Sequence, residues 1–263
     1  MAQALAVQKG NHLQIQYTSG LDFKKHLESL GVESGMSVVV HSSLIAFGRL
    51  EGGIEMVYDA FMERLGATGT LIVPAFTFYL GPDDEFDPKK TPGRMGLLSE
   101  YVRTRPGATR GLQPIHSYAA IGSQKEIAEL GDPNMSFGEG SVFQQFLDRD
   151  THWLMLGCPF DRGCTYIHQP ETLANVPYRE WLDLPRTRLN ETGEPEAITV
   201  RYYAMRPEFD SRWNPSLAES RITDDDRYTV VPASYGNSMM LSTSDFHDMA
   251  TEQLDENELI LLP

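Results

Sequence analysis

The chain has 263 residues, with 22 lysines and arginines against 37 aspartates and glutamates, a formal net charge of −15. That length suits one large α/β domain, or one domain with an appended subdomain, and it is enough to bury a full core. Apolar residues make up 41% and charged residues 22%, ordinary globular usage that excludes a disordered chain, while the acidic surface repels nucleic acid and anionic membrane and either attracts cationic ligands or only keeps the protein soluble.

Residues 1–20 are mixed and polar, a loose leader or a short edge strand. They lack a basic stretch followed by a long apolar one, so no signal peptide is expected. No apolar run approaches the length of a membrane span. A helix is predicted over 22–30, ended by Gly31, and a buried strand over 36–40. From Ile54 the apolar residues recur as Val57, Tyr58, Phe61 and Leu65, an amphipathic helix stopped by Gly66. A second buried strand spans 69–73. Strand, helix and strand in this order make a βαβ unit and imply a parallel sheet. A long loop covers 75–96, a length that in a compact domain points either to function or to disorder. Helices follow at 95–103, 124–130 and 141–147, with strands at 118–122 and 152–156. Residues 179–227 are richer in charge and proline, with one convincing strand at 198–205, and read as a subdomain packed over one end of the sheet. A strand at 228–233, a helix at 244–254 capped by Ser244 or Asp245, and a last strand at 259–262 complete the chain.

Cys158 and Cys164 are the only cysteines. Two thiols in a chain this long make no disulfide framework, and their spacing matches no common zinc pattern. Both are expected as packing residues in a reducing, cytoplasmic protein.

Each polar signature begins where a predicted strand ends, which is where open α/β sheets bind ligands. His41, Ser42 and Ser43 follow the first strand, Thr77 the second, and His168 the strand at 152–156. The His41–Gly53 loop offers hydroxyls and amides before a helix, a setting for phosphate. Its spacing is that of neither a nucleotide P-loop nor a dinucleotide fingerprint. Ser43 lacks the G-x-S-x-G elbow of a nucleophile. His116-Ser117 is a second candidate pair. His41, His116, His168 and Glu171 are all metal-ligating types, but no paired-cysteine or H-E-x-x-H pattern supports a metal.

The stretch Thr165-Tyr166-Ile167-His168-Gln169-Pro170-Glu171 places an imidazole and a carboxylate three residues apart, on one face if helical. A carboxylate that accepts from one ring nitrogen leaves the other basic, which is half of a general-base apparatus. The competing reading is an ion pair on a helix surface.

Several motifs occur in order. They are Val39-Val40-His41-Ser42-Ser43-Leu44, Phe47-Gly48, Gly52-Gly53, and the run Gly69–Val73 into Pro74-Ala75-Phe76-Thr77. Further on come Phe86-Asp87-Pro88, Thr91-Pro92, Met95-Gly96, Pro114-Ile115-His116-Ser117, Leu156-Gly157, and Thr165, His168 and Glu171 with Val176-Pro177-Tyr178. Together these resemble the aminoglycoside 3-N-acetyltransferase family, which is unrelated in fold to the GNAT acetyltransferases. The resemblance implies a three-layer α/β fold with a mainly parallel central sheet and a smaller subdomain at about 179–227. It implies transfer of acetyl from acetyl-CoA to the 3-amino group of a deoxystreptamine aminoglycoside, conferring antibiotic resistance, with no metal. His168 carries over as the base and Glu171 as its orienting carboxylate. His41, Ser42, Ser43, Leu44 and Phe47 carry over to the CoA, with Thr77 and Ser117 beside the thioester. Two positions depart from the pattern. Gln113 stands where many members have a histidine, and Pro170 falls between His168 and Glu171. Proline is tolerated in a first helical turn, so the helix is expected to begin near His168.

The partner expected is a polycationic small molecule, with no nucleic acid or membrane, and the protein is expected to be a monomer or homodimer. Asp83-Asp84-Glu85 and Asp224-Asp225-Asp226 are candidate cation contacts, set against a reading as solvated loops. Three other functions remain open on the residues: an N-acetyltransferase for another amine such as an amino sugar or aminophosphonate, a metal-dependent hydrolase, and an aminoglycoside-binding protein without turnover.

Overall fold

The computed structural model describes residues 16–190, 192–209, 212–223 and 226–263. A short strand β1 (Tyr17–Thr18) precedes helix α1 (Gly20–Ser29), whose N-cap Ser19 accepts a hydrogen bond from the amide of Asp22. β2 (Ser37–Ser42) runs through a 3-10 turn (Leu44–Phe47) and β3 (Arg49–Leu50) into α2 (Gly53–Leu65), and β4 (Thr70–Pro74) follows. β5 (Glu85–Phe86), α3 (Leu97–Arg103) and β6 (Thr109–Arg110) lead to β7 (Tyr118–Gly122). α4 (Val142–Asp148), β8 (His152–Leu156), α5 (Phe160–Gly163) and α6 (His168–Ala174) precede the long strands β9 (Arg179–Leu189) and β10 (Pro195–Met205). α7 (Ser216–Thr223), β11 (Tyr228–Ala233), β12 (Gly236–Ser242) and α8 (Thr243–Glu256) complete the order.

The central sheet has the order β11-β12-β8-β2-β4-β7-β6. β2 pairs in parallel with β4, Val38 opposite Leu71, as the βαβ pattern requires. It also pairs in parallel with β8, Val40 opposite Leu154. The other pairings are antiparallel. The mainly parallel sheet expected from the sequence is therefore corrected to a mixed one. The reason is connection length: β6 to β7 and β11 to β12 are joined by short loops, and a short loop returns the chain antiparallel, whereas a parallel neighbour needs a long crossover.

Successive residues of a strand face opposite sides, and here both sides are apolar. Val39, Ile72 and Trp153 face a core built with Phe143 and Phe146 of α4 and Phe246 of α8. Val38, Val40, Leu71 and Leu154 face a second core with Phe23 of α1, Phe61 of α2 and Leu98 of α3. Helices thus cover both faces and leave the strand ends as the place for chemistry. Among the described residues no helix is long and apolar enough to cross a membrane.

A second sheet has the order β10-β9-β5. β9 and β10 pair from Arg179↔Met205 to Leu189↔Pro195. Only β10 was legible, because Arg-Glu-Trp-Leu-Asp-Leu-Pro-Arg in β9 scatters charge and includes Pro185. Pro185 is tolerated because β5 pairs with β9 only at Thr187 and Arg188, so the outer edge at 185 needs no donor. Three further expectations are corrected. The segment 259–262 forms turns, with Leu262 N–H bonded to the Leu259 carbonyl. The cap of α8 is Ser242, which accepts from the Asp245 amide. The helix predicted over 124–130 is a 3-10 turn, Lys125–Glu129.

Candidate active site

The parallel strands β8, β2 and β4 end on one edge, where Ser42 lies opposite Leu156. β7 runs the other way, so its first residue, Tyr118, lies opposite Pro74 on the same edge. His116 and Ser117, which precede β7, are thereby brought beside residues that follow β2, β4 and β8. The histidines share aromatic neighbours. Phe76 lies 6.0 Å from His41 and 5.2 Å from His116, ring centre to ring centre. Phe137 lies 4.7 Å from His116 and 5.3 Å from His168.

His168 opens α6, which follows directly on a 3-10 turn, Thr165–Ile167. Pro170 falls in the first turn, where its missing N–H has no intrahelical partner to lose. The start of α6 is tied down by the buried Gln169, whose Oε1 accepts from the Gly138 amide at 2.7 Å. Glu171, one turn on, is fully buried, while the His168 side chain keeps 19% of its surface exposed. His168 Nδ1 and Glu171 Oε2 are 2.5 Å apart. Tyr178 donates its hydroxyl to Glu171 Oε1 at 2.8 Å. A third partner was not foreseen. Arg179, 7% exposed, brings Nε to 2.7 Å from Glu171 Oε2, a close ion pair without hydrogen-bond alignment. Its Nη2 reaches 3.1 Å from His168 Nδ1. Arg179 directly follows the Val176-Pro177-Tyr178 motif, and that adjacency was the only signal for it in the sequence.

Burial holds His168 below the usual imidazole range, Arg179 pushes in the same direction, and Glu171 opposes both. Burial alone would raise the Glu171 carboxyl. The charges of His168 and Arg179, with hydrogen bonds from His168 and Tyr178, outweigh it and hold the carboxyl below its ordinary value. Near neutral pH the pair is therefore a neutral imidazole beside an anion, with Nε2 the basic nitrogen if the shared proton sits on Nδ1. This is a buried constellation and not the surface ion pair of the competing reading. Among the described residues no three His, Cys, Asp or Glu side chains gather to hold a metal ion. Burial raises the Cys158 thiol to about 11 and Cys164 well above its usual value, so neither is a thiolate near neutrality.

The other candidates divide. Ser42, Ser43 and Leu44 are half-buried at the edge and Ile45 is 82% exposed, so this loop presents a surface. Phe47 points inward, its ring centre 5.2 Å from that of Phe23. His41 is buried and stacks on Trp153 at 5.0 Å. The hydroxyl of Thr77 donates to the Pro114 carbonyl, and that of Ser117 to the Ala75 carbonyl at 3.0 Å. Gln113 accepts from the amides of Ile115 and His116 at 2.5 and 2.6 Å, so the residue that departs from the family pattern caps the turn carrying His116. Asp83, Asp84 and Glu85 are exposed, as is Asp226, while Asp224 and Asp225 lie outside the described residues.

Gly157 supports the loop from below. It sits at φ +58, and a Cβ there would lie 2.6 Å from Ala46 Cβ and 2.9 Å from the Ser43 carbonyl. Gly157→Ala should cost about 1–2 kcal/mol in backbone strain and push the loop outward. The expected result is a raised KM for acetyl-CoA with a smaller change in kcat. An unchanged KM would place CoA away from this loop.

Burial lowers both His41 and His116 to about 3. In the unfolded chain they titrate near 6.5, so between those values the unfolded state binds more protons and stability falls as pH falls. Each histidine contributes up to about 1.4 kcal/mol per pH unit across that window. Urea midpoints measured from pH 7 to pH 4 should fall steadily, with a shallower slope in His116→Gln. A midpoint flat across this range would contradict the burial of these rings as neutral groups.

Comparison with known proteins adds an independent line. A curated aminoglycoside N(3)-acetyltransferase III from Salmonella is 31% identical over 197 residues, covering 67% of this chain and 68% of the relative. Aminoglycoside N(3)-acetyltransferase VII from Streptomyces paromomycinus is 28% identical over 179 residues, covering 60% of this chain and 62% of the relative. Among solved structures, the apoenzyme of aminoglycoside acetyltransferase AAC(3)-IVa superposes with a TM-score of 0.78 at 25% identity, covering 96% of this chain and 94% of that one. AAC-IIIb in its binary complex with CoASH gives 0.78 at 20% identity, covering 92% and 97%, a likeness of fold. The family model for aminoglycoside 3-N-acetyltransferases matches residues 39–255 and so takes in both the sheet edge and the His168–Glu171 pair: the chain belongs to that family.

Proposed function

We propose that this protein transfers the acetyl group of acetyl-CoA to the 3-amino group of a deoxystreptamine aminoglycoside, with His168 as general base and Glu171 as its orienting carboxylate. The observation that carries the reading is the pair itself, Nδ1 to Oε2 at 2.5 Å with Glu171 fully buried and 19% of the His168 side chain still exposed, in a chain of this family. An ammonium cannot attack a thioester, so the amine enters this step neutral, its ammonium proton already lost to solvent. His168 Nε2 takes the proton as the amine nitrogen bonds to the thioester carbon, and Glu171 stabilises the imidazolium. The tetrahedral oxyanion collapses, the C–S bond breaks, and the imidazolium returns its proton to the leaving thiolate, which restores neutral His168. Removing a donor from an oxyanion hole typically costs about 3 kcal/mol. With the Thr77 and Ser117 hydroxyls turned to backbone carbonyls, a backbone amide suits that task better, and the two side chains shape the thioester end.

The loop Ser42–Leu44 with exposed Ile45 is the proposed CoA contact, and His41 and Phe47 support it from the core. Residues 179–227 are read as a subdomain over this edge, since Tyr202 stacks on His116 and Trp213 lies 5.9 Å from His168. The acidic surface draws the polycation in.

The test is thiol release from acetyl-CoA with a panel of aminoglycosides, amino sugars and aminophosphonates, with the acetylated nitrogen located by NMR. Release with deoxystreptamine compounds and acetyl on the 3-amine is the expected result. Release only with another amine would move the substrate class, and no release with any amine would defeat the reading.

A further inference from the structure

We propose that Arg179 is a positioning residue for the base: it holds Glu171 as the anionic acceptor that keeps the shared proton on His168 Nδ1, so that Nε2 stays free to take the proton of the amine. The inference rests on the reading of His168 as base and extends it to a residue outside the H-x-x-E motif.

The argument starts from what one ring nitrogen can do. Nδ1 has two polar neighbours, Glu171 Oε2 at 2.5 Å and Arg179 Nη2 at 3.1 Å. An ionised carboxylate only accepts and a guanidinium only donates. The two contacts therefore ask for opposite tautomers. Glu171 requires Nδ1–H. Arg179 would be satisfied by a bare Nδ1, which moves the proton to Nε2 and blocks the base. The contact to the anion is shorter and charge-assisted, so it wins while Glu171 is ionised. Arg179 secures that condition, because its Nε lies 2.7 Å from the same Oε2.

The guanidinium is itself fixed from another sheet. Arg179 is the first residue of β9, opposite Met205. Its Nη1 donates to the Tyr203 carbonyl at 3.4 Å, and its own carbonyl accepts from Arg206 Nε at 3.2 Å. An ion pair serving only to hold the fold would need the carboxylate alone. Here the fork continues past it to the imidazole. The charged and titratable groups that face the dyad are Arg179 from β9, His116 from the turn before β7, Tyr178 on the second carboxylate oxygen, Tyr203 on β10, and Cys164, while the rings of Phe137 and Trp213 are neutral.

The test reads the imidazole directly. Protein labelled with 15N in its histidine rings is titrated by NMR as wild type, Arg179→Gln and Arg179→Lys, with His168→Ala assigning the signal. The wild type should show Nδ1–H and free Nε2. In Arg179→Gln the His168 midpoint should move to higher pH, the two tautomers should mix, and the acid limb of kcat/KM should move the same way, with kcat down about tenfold or more, the equivalent of about 1.4 kcal/mol. Arg179→Lys keeps the charge and loses the fork, so its midpoint should stay nearer wild type while kcat still falls. Unchanged midpoint and tautomer in folded Arg179→Gln would overturn the proposal. A His168→Ala enzyme with full turnover would instead defeat the assignment of the base, and the NMR result would still report what Arg179 does to the ring.

Discussion

His168→Ala will lower kcat by about 100- to 10,000-fold, the usual worth of a positioned general base, while both substrates still bind. The split follows from the surroundings. The imidazole keeps 19% of its surface exposed, and the groups behind it keep their partners when it is removed. Glu171 still receives the Tyr178 hydroxyl and still faces Arg179, so no buried charge is stranded. Initial rates at saturating acetyl-CoA give the loss, and calorimetric titration of the aminoglycoside shows whether binding survives. A pH profile of the wild type cannot make the assignment alone, because the amine and the imidazole lose their protons over overlapping ranges. The variant can. Near wild-type kcat with the same acid limb would make His168 structural, and His116 the next candidate.

Glu171→Ala will be felt twice, as lost turnover and as lost stability. Removing one member of a buried ion pair strands the other, typically at a cost of about 3–5 kcal/mol. Arg179, at 7% exposure, has no second carboxylate within ion-pairing distance among the described residues. Glu171→Gln should be milder on both counts. The Arg179 guanidinium 2.7 Å from Oε2 favours the amide oxygen there over the amide NH2, so the oxygen still accepts from Nδ1 and the amide nitrogen turns to the Tyr178 oxygen. What is lost is the charge that stabilises the imidazolium and that lets this contact outweigh the one from Arg179 at Nδ1. Urea unfolding and steady-state rates on both variants separate these effects. An unfolding midpoint in Glu171→Ala equal to wild type would show that Arg179 is not left unpaired.

The parts of this architecture legible in the sequence were those where one residue period dominates. Val38, Val39 and Val40 announce a strand buried on both faces, and Ile54 to Leu65 a helix closed by Gly66, which sits at φ +67. The sense of β7 was not legible, because an apolar run carries no direction. Its partner and direction come from the loop that precedes it. β12 begins Gly236-Asn237-Ser238 and resembles a turn until its pairing with β8 is seen. At the site, His168 and Glu171 could be paired because helical spacing is a local rule. Arg179 could not, since it meets them from the start of a strand in another sheet. Thr77 and Ser117 invited a reading as hydroxyl donors, yet their acceptors are the carbonyls of Pro114 and Ala75, and no side-chain pattern marks which backbone oxygen a fold will leave in need.

The β9–β10 ladder has its Arg179 end beside His168 and its other end at the turn between Leu189 and Pro195. Eleven residues of strand at roughly 3.3 Å each separate the two ends by about 35 Å. Arg179 at one end and the β5 pairing at Thr187 and Arg188 near the other hold the ladder up to the turn, so changes in the turn are tolerated provided no residue is added inside the ladder, where a one-residue slip would turn every side chain to the opposite face. The turn is thus the place in this protein to insert a fluorophore tag, a purification handle or a fused domain: it is remote from the chemistry, and lengthening it leaves the rung at Arg179 in register.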